Sequence, residues 1–508
     1  MLRTWIVLAL ALALACPGSH EPGTDPPMAT PRAQPPVGSS ESALIGPAGG
    51  TVALGELTLT VPEGALDAPV ELTITATDRP TPDRFEGYSR VFTFAPEGLR
   101  FARPVRVALP FTGDPALATI FWTLAESESY AAVPTRTEDG LALAEVHHFS
   151  QAFVGTACEG AVCCGRATDE LDLLLLVDSS GSMVEEQDAL ARELPALVRA
   201  FATGDVDGDG AQDFPAVASL QVGTISPDMG TGGHEVPTCS EPFLGDDGVL
   251  LGAGNLFDAS CEESYPRVQR FEPGAPGADA ERFARNVSCV AQLGTDGCGF
   301  EQQLEAALKA VTPSTSATSF QAGTRGHADG ANAGFVRERA VLALVNVTDE
   351  NDCSAADPEL FDLDSPRFAT DPNLRCSDYP EALHPVSRYA EGFLDAKGGD
   401  ASRLVFANIA GIPRDLEGAS GDAILADPRM EERVDPREPF QLEPSCTTLY
   451  EEAPPGRASP PRRLVETASA LEARGAATVN ASICRASFGD AVGRILARVA
   501  DRVAGRCE

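Results

Sequence analysis

Lysine is nearly missing from this chain. Of 508 residues only Lys309 and Lys397 are lysine, and Lys plus Arg total 38 against 75 Asp plus Glu. The formal charge of -37 argues against nucleic acid and anionic membrane surfaces as partners, since both repel a polyanion. It suits a soluble, cation-binding surface. Histidine is scarce as well, with 6 residues scattered along the chain. There is no His-Glu-x-x-His pair, no Gly-x-Ser-x-Gly elbow and no phosphate-binding Gly-x4-Gly-Lys loop. Beyond the first 15 residues no apolar run is long enough to span a bilayer. The chain therefore reads as a protein that is not an enzyme. Scarce lysine with abundant Ala, Gly, Pro and Arg matches a GC-rich bacterial genome.

Hydrophobic content of 43% is ordinary for globular protein, and the length accommodates two or three domains. Met1-Leu2-Arg3, an apolar stretch from Trp5 to Ala15, and then Cys16 have the form of a secretory signal. Leu14-Ala15-Cys16 resembles a lipoprotein processing site, which implies acylation of Cys16 and a lipid anchor. An ordinary secretion signal with a cysteine nearby remains the alternative. The expected location is the cell envelope, at the outer membrane or the cell surface. Setting Cys16 aside leaves 12 of the 13 cysteines, an even number that favours disulfides in an exported chain. Zinc thiolates are disfavoured, because no two CxxC pairs stand at zinc-finger spacing.

The expected fold class is multidomain, with an N-terminal antiparallel β-sandwich and a C-terminal doubly wound, Rossmann-like α/β domain. Residues 1–15 are expected to form the signal, and 16–40, rich in Pro, Gly and Ser, are expected to form a disordered tether. Over 41–155 short β-rich runs (51–60, 70–76, 91–94, 105–111) are punctuated by Gly, Pro and Asp, the rhythm of a sandwich. Its phrases are Gly49-Gly50-Thr51, Val61-Pro62-Glu63-Gly64, Phe94-Ala95-Pro96-Glu97-Gly98 and Phe101-Ala102-Arg103-Pro104. In that order they resemble the ZU-five domain of zonula occludens proteins, netrin receptors and ankyrins. Residues 156–168 carry Cys158, Cys163 and Cys164 and read as a linker.

From 169 to 508 strand and helix patterns alternate, which implies a parallel sheet covered on both faces. A helix starting near Ser182 places Leu190, Leu194, Leu197, Val198 and Phe201 on one face. A last helix does the same with Phe488, Val492, Ile495, Val499 and Val503. Further core strands are expected at 216–225, 340–348 and 404–412. The run Leu171 to Val177 is almost wholly apolar and ends in Asp178-Ser179-Ser180-Gly181-Ser182. One carboxylate and two hydroxyls at i, i+2 and i+4 are hard oxygen donors for a divalent cation. A second apolar strand, Val341 to Val347, ends in Thr348-Asp349. Ligands of such sheets bind beyond the carboxyl ends of the strands, where both motifs fall.

This pair of strand ends closely resembles the metal-ion-dependent adhesion site of von Willebrand factor type A domains and integrin inserted domains. The resemblance implies that Ser180 and Ser182 bind Mg2+ (or Mn2+ or Ca2+) directly, and Asp178 and Asp349 directly or through water. It also implies an open position for a carboxylate of a protein or other envelope partner. The family uses a threonine from a middle loop, which is absent here. Thr295 lies upstream of its place, and Glu301 or Gln302 can supply an oxygen instead. Glu301 as a ligand would lower the affinity for a partner carboxylate. A structural reading also stands, in which Asp178 and Ser182 only cap the first helix.

Two further motifs stand apart. Asp205, Asp207, Asp209 and Asp213, with the carbonyl of Ala211, are spaced like the calcium loops of integrin propellers. Structural Ca2+ is expected there, at the end of the domain away from Asp178; a solvated acidic turn is the alternative. His147-His148-Phe149-Ser150 reads as a final strand with Phe149 filling the core, and it also resembles a self-cleaving Phe-Ser peptide of some ZU-five proteins. The leading function is a lipid-anchored surface protein that binds its partner through the metal site. The alternatives are a calcium-stabilised envelope protein without metal-mediated adhesion, and a protein that cleaves itself at Phe149-Ser150.

Overall fold

The computed structural model describes residues 32–82, 85–115, 117–123, 130–156, 168–205, 216–448 and 456–503. The signal, Cys16, most of the tether, the linker cysteines and Asp207, Asp209 and Asp213 lie outside these residues.

Two antiparallel sheets occupy the N-terminal part. One runs in the order Ser40–Ile45, Val70–Ala76, Phe92–Ala95, Gln151–Thr156, Thr119–Thr123, Tyr130–Val133, with Glu86–Gly87 beside Gln151–Thr156. The other runs Arg136–Glu138, Leu141–His148, Arg100–Pro110, Leu57–Val61, Gly50–Leu54. Alternation explains the pairing of faces. Leu57, Leu59 and Val61 point inward from one sheet, and Leu72, Ile74 and Ala76 from the other, into one shared core. Phe149 is fully buried there, its ring 4.9 Å from Phe101 and 5.7 Å from Phe94.

The C-terminal part is built on β1 (Glu170–Val177), α1 (Val184–Thr203), β2 (Ser219–Ile225), β3 (Gln269–Phe271), α2 (Ala280–Ala291), α3 (Gln303–Val311), β4 (Val341–Val347), α4 (Val386–Asp395), β5 (Leu404–Ala410), α5 (Arg462–Glu472), β6 (Ala477–Ser482) and α6 (Gly489–Val503). The strand order is 3-2-1-4-5-6, parallel throughout except for the antiparallel edge strand β3. β1 is apolar at successive positions because both of its faces are covered. Leu171, Leu173, Leu175 and Val177 pack with α1, α2 and α6, while Leu174 and Leu176 pack with α3, α4 and α5. Its buried charged residue, Asp172, is paired to Arg337 at 2.7 Å.

The order reverses between β1 and β4. In open α/β sheets that switch point, beyond the carboxyl ends of the strands, is where ligands sit. Among the described residues disulfides join Cys239–Cys298, Cys261–Cys289, Cys353–Cys376 and Cys446–Cys484. Two of them pin the loops at this switch point: Cys298 lies beside Gly297, and Cys353 beside Asp352.

Candidate metal centre

The β1–β4 ladder runs one step beyond the strands, with the Asp178 N–H donating to Val347 O at 2.9 Å. The chain then turns, and the Asp178 carboxylate turns with it. One oxygen accepts from the Ser180 N–H at 2.8 Å and the other from the Thr348 hydroxyl at 2.6 Å. Asp178 is fully buried. Beyond it, hydroxyls and carboxylate join across the two strand ends. Ser180 Oγ is 3.2 Å from Ser182 Oγ, and Ser182 Oγ donates to Asp349 Oδ1 at 3.1 Å. Asp349 is buried, whereas Gly181 and Ser182 are exposed, so the group opens to solvent at Ser182. The helix starts at Val184, two residues after the expected Ser182.

The middle loop closes over this turn. The Gly297 N–H donates to Ser179 O at 2.8 Å. A Cβ at Gly297 would stand 2.7 Å from that same carbonyl, so only glycine fits the approach. The Gln187 amide bridges the two segments: Nε2 donates to Asp178 O at 2.8 Å and Gly294 O at 2.7 Å, and Oε1 accepts from Gly294 N. Thr295 is half-buried at the rim. Glu301 is 6% exposed and faces Asp178, Glu350 and Asp349. Gln302 turns away, its amide bonded to Gly230 O and Ala355 N. Of the two candidates for the missing threonine's oxygen, Glu301 alone stands with the cluster.

The loop after β4 locks onto the start of α3. Asp352 Oδ1 accepts from Leu304 N at 2.8 Å, and Ser354 Oγ accepts from Glu305 N at 3.0 Å. Two orphan N–H groups of the helix are thus capped from another loop. Cys353 N donates to Glu301 O at 2.8 Å, which ties Asp349 and Glu301 into one rigid frame.

The electrostatics of the group are those of crowded, buried anions. Burial pushes the Asp178 carboxyl above its usual range, against the hydrogen bonds from Thr348 and Ser180. Glu301 is pushed well up by burial, then by Asp178, Glu350 and Asp349. Asp349 is pushed well up by burial, then by Glu350, Asp178 and also Glu186. Glu350 rises to about 7, chiefly by burial, with a Ser459 hydrogen bond opposing. Among the described residues no Arg, Lys or His stands within ion-pair distance of these four. Other buried carboxylates do have such partners: Asp172 has Arg337, Glu305 has Arg388, and Asp352 has Arg463.

The donors are hydroxyl and carboxylate oxygens, the set that hard divalent cations take. One further acceptor adds to the fit. Gln303 donates from Nε2 to Thr348 Oγ1 at 2.9 Å, while its buried Oε1 has no hydrogen-bond partner. Among the described residues no three His, Cys, Asp or Glu side chains are gathered closely enough to hold one ion by themselves. Sequence reasoning missed Thr348, Gln187, Gln303 and Glu350. Their signal was position alone: the residue before Asp349, the residue after it, the first turn of α1 and the first turn of α3.

The other motifs are placed less fully. Of the acidic loop only Asp205 is described, just past the left-handed Gly204 that ends α1, at the end of the sheet opposite Asp178. Ser150 Oγ is hydrogen-bonded to Thr123 Oγ1, and His148 Nε2 to the Thr123 carbonyl at 3.0 Å. No described helix is long and apolar enough to cross a membrane. Comparison with protein-family models and with curated proteins finds no match for this chain.

Proposed function

We propose that this chain is an exported, lipid-anchored binding protein whose α/β part is a von Willebrand factor A-like domain organised by a divalent cation. In this reading Cys16 carries the lipid, the tether and a ZU-five-like sandwich act as spacers, and the edge around Asp178 meets the partner. Ser180, Ser182, Asp178 and Asp349 hold Mg2+, Mn2+ or Ca2+, directly or through water, with Glu301 beside them. The cation supplies positive charge to the buried Asp178, Asp349 and Glu301 and the half-buried Glu350, which have no basic partner within ion-pair distance among the described residues. The observation that carries the reading is the chain Ser180–Ser182–Asp349, which joins two strand ends at the switch point of the sheet. The loops around it are tied by the Cys239–Cys298 and Cys353–Cys376 disulfides and stand on the sheet as scaffold, where function-bearing loops commonly sit.

Calorimetric titration of Mg2+ and Ca2+ into the full chain tests it, with a Ser180→Ala/Ser182→Ala double variant alongside. Binding at the same strength in the double variant would overturn the assignment of these hydroxyls. The acidic loop at 205–213 is proposed as a separate structural Ca2+ site, and its heat should persist in the double variant.

A further inference from the structure

Three buried glutamine amides, Gln187, Gln302 and Gln303, stand at the metal edge. Two of them are engaged at both ends. Gln187 donates to Asp178 O and Gly294 O and accepts from Gly294 N. Gln302 donates to Gly230 O and accepts from Ala355 N. Gln303 differs. It is 0% exposed, and its Nε2 donates to Thr348 Oγ1 at 2.9 Å, yet its Oε1 accepts from nothing among the described residues. A buried carbonyl without a donor bears the full cost of leaving water, and folded proteins satisfy nearly all such atoms with protein, water or an ion.

The amide cannot turn over to escape that cost. Thr348 has a single hydroxyl hydrogen, which goes to Asp178 Oδ2 at 2.6 Å. The Thr348 oxygen accepts from Gln303 Nε2 and, at 3.2 Å, from Glu350 N. With the amide reversed, Gln303 Oε1 would face the lone pairs of Thr348. The direction of the chain Gln303–Thr348–Asp178 is thereby fixed. Oε1 is held about 2.2 Å from Nε2 by amide geometry, two hydrogen bonds from the Asp178 carboxylate. Gln and Asn carbonyls are among the oxygens that Ca2+ takes, and a carboxamide brings no further negative charge to a centre crowded with carboxylates. On the reading that this centre holds a divalent cation, we propose that Gln303 belongs to it. Oε1 meets the cation directly or through one of its waters, and Nε2 holds Thr348 and through it Asp178. Ion and amide complete each other: the ion gains a neutral oxygen, and the orphaned carbonyl gains a partner.

Calorimetric titration of Mg2+ and Ca2+ into the full chain and three variants tests this. The heat that counts is the part abolished by Ser180→Ala/Ser182→Ala. Gln303→Met keeps the length of the side chain and removes the amide. It should bind cation at least about tenfold more weakly. Its melting temperature in EDTA should hold, since the lost Thr348 bond is offset by removal of an orphaned carbonyl, while the cation-induced rise shrinks. Gln303→Glu keeps an oxygen at this place and gives up Nε2, and should bind as tightly as the natural chain or tighter. Gln302→Met, which breaks the bonds to Gly230 and Ala355, should lower the melting temperature and leave cation affinity unchanged. If Gln303→Met gives no cooperative melting curve, Gln303→Asn, which withdraws the oxygen by one methylene, should show the same loss of affinity. Unchanged affinity in Gln303→Met, an equal loss in Gln303→Glu, or an equal loss in Gln302→Met would overturn the inference. Cation bound by the natural chain and by Gln303→Met alike sinks this inference alone. No heat abolished by the double serine variant sinks the metal reading and this inference with it.

Discussion

Raising the pH should weaken the cation-free protein and leave the cation-loaded protein standing. The argument starts at Glu350, whose carboxyl is pushed up from 4.5 to about 7. Between those two values the folded, cation-free protein keeps a proton that the unfolded chain has released. The folded state therefore binds more protons, and its stability falls as pH rises through this window. Each pKa unit corresponds to about 1.4 kcal/mol, so the loss from Glu350 is at most about 3 kcal/mol by pH 8. For an α/β part of roughly 300 residues, unfolding entropy near 2 cal/mol/K per residue turns that into about 5 °C of Tm. Asp172, pushed up to about 6, acts in the same direction. It is paired with Arg337 at the opposite end of the sheet and has no reason to respond to the cation. A bound cation stabilises the deprotonated carboxylates, so its effect grows with pH. Differential scanning calorimetry in EDTA and in Mg2+, at pH 5.5 and pH 8, gives four Tm values. The cation-induced rise should be larger at pH 8 by several degrees. Equal rises at the two pH values would refute the reasoning, because they would mean that protons and cation do not compete for these carboxylates.

Three other outcomes are expected. Thr348→Val removes the 2.6 Å hydrogen bond that orients Asp178, and should cost about 1–2 kcal/mol and at least tenfold in cation affinity by calorimetry. Unchanged affinity would mean that Asp178 needs no orienting partner. Replacing Cys353 and Cys376 together by serine should lower stability in denaturant by about 2–4 kcal/mol, and non-reducing peptide maps of the native chain should return the four bridges. A map pairing Cys353 elsewhere would contradict the loop arrangement. The purified chain should run as one full-length band on a denaturing gel, because the Ser150 hydroxyl is engaged by Thr123 rather than by a histidine. Two fragments meeting at Phe149-Ser150 would show that the histidines reach that peptide after all.

Composition and periodicity go far here. An apolar run at successive positions, as in Leu171 to Val177, is stable only when both faces of the strand are covered. Stripes at helical spacing, such as Leu190, Leu194, Leu197, Val198 and Phe201, require a sheet to pack against. These local rules place Asp178 and Asp349 at strand ends. The even number of cysteines other than Cys16 favours disulfides, and among the described residues all eight cysteines are paired.

What the local rules do not carry is adjacency. That β1 lies beside β4, so that Ser182 meets Asp349 167 residues away, depends on the strand order, which is the outcome of packing two helical layers at once. The choice of Glu301 over Gln302 likewise follows from which face of the α3 entry turns toward Asp178, once Asp352 and Ser354 have capped that helix from another loop. Most of all, the gathering of carboxylates without basic partners is a tertiary property. The chain states how many carboxylates there are, but only folding decides which of them are paired with arginine and which are left together.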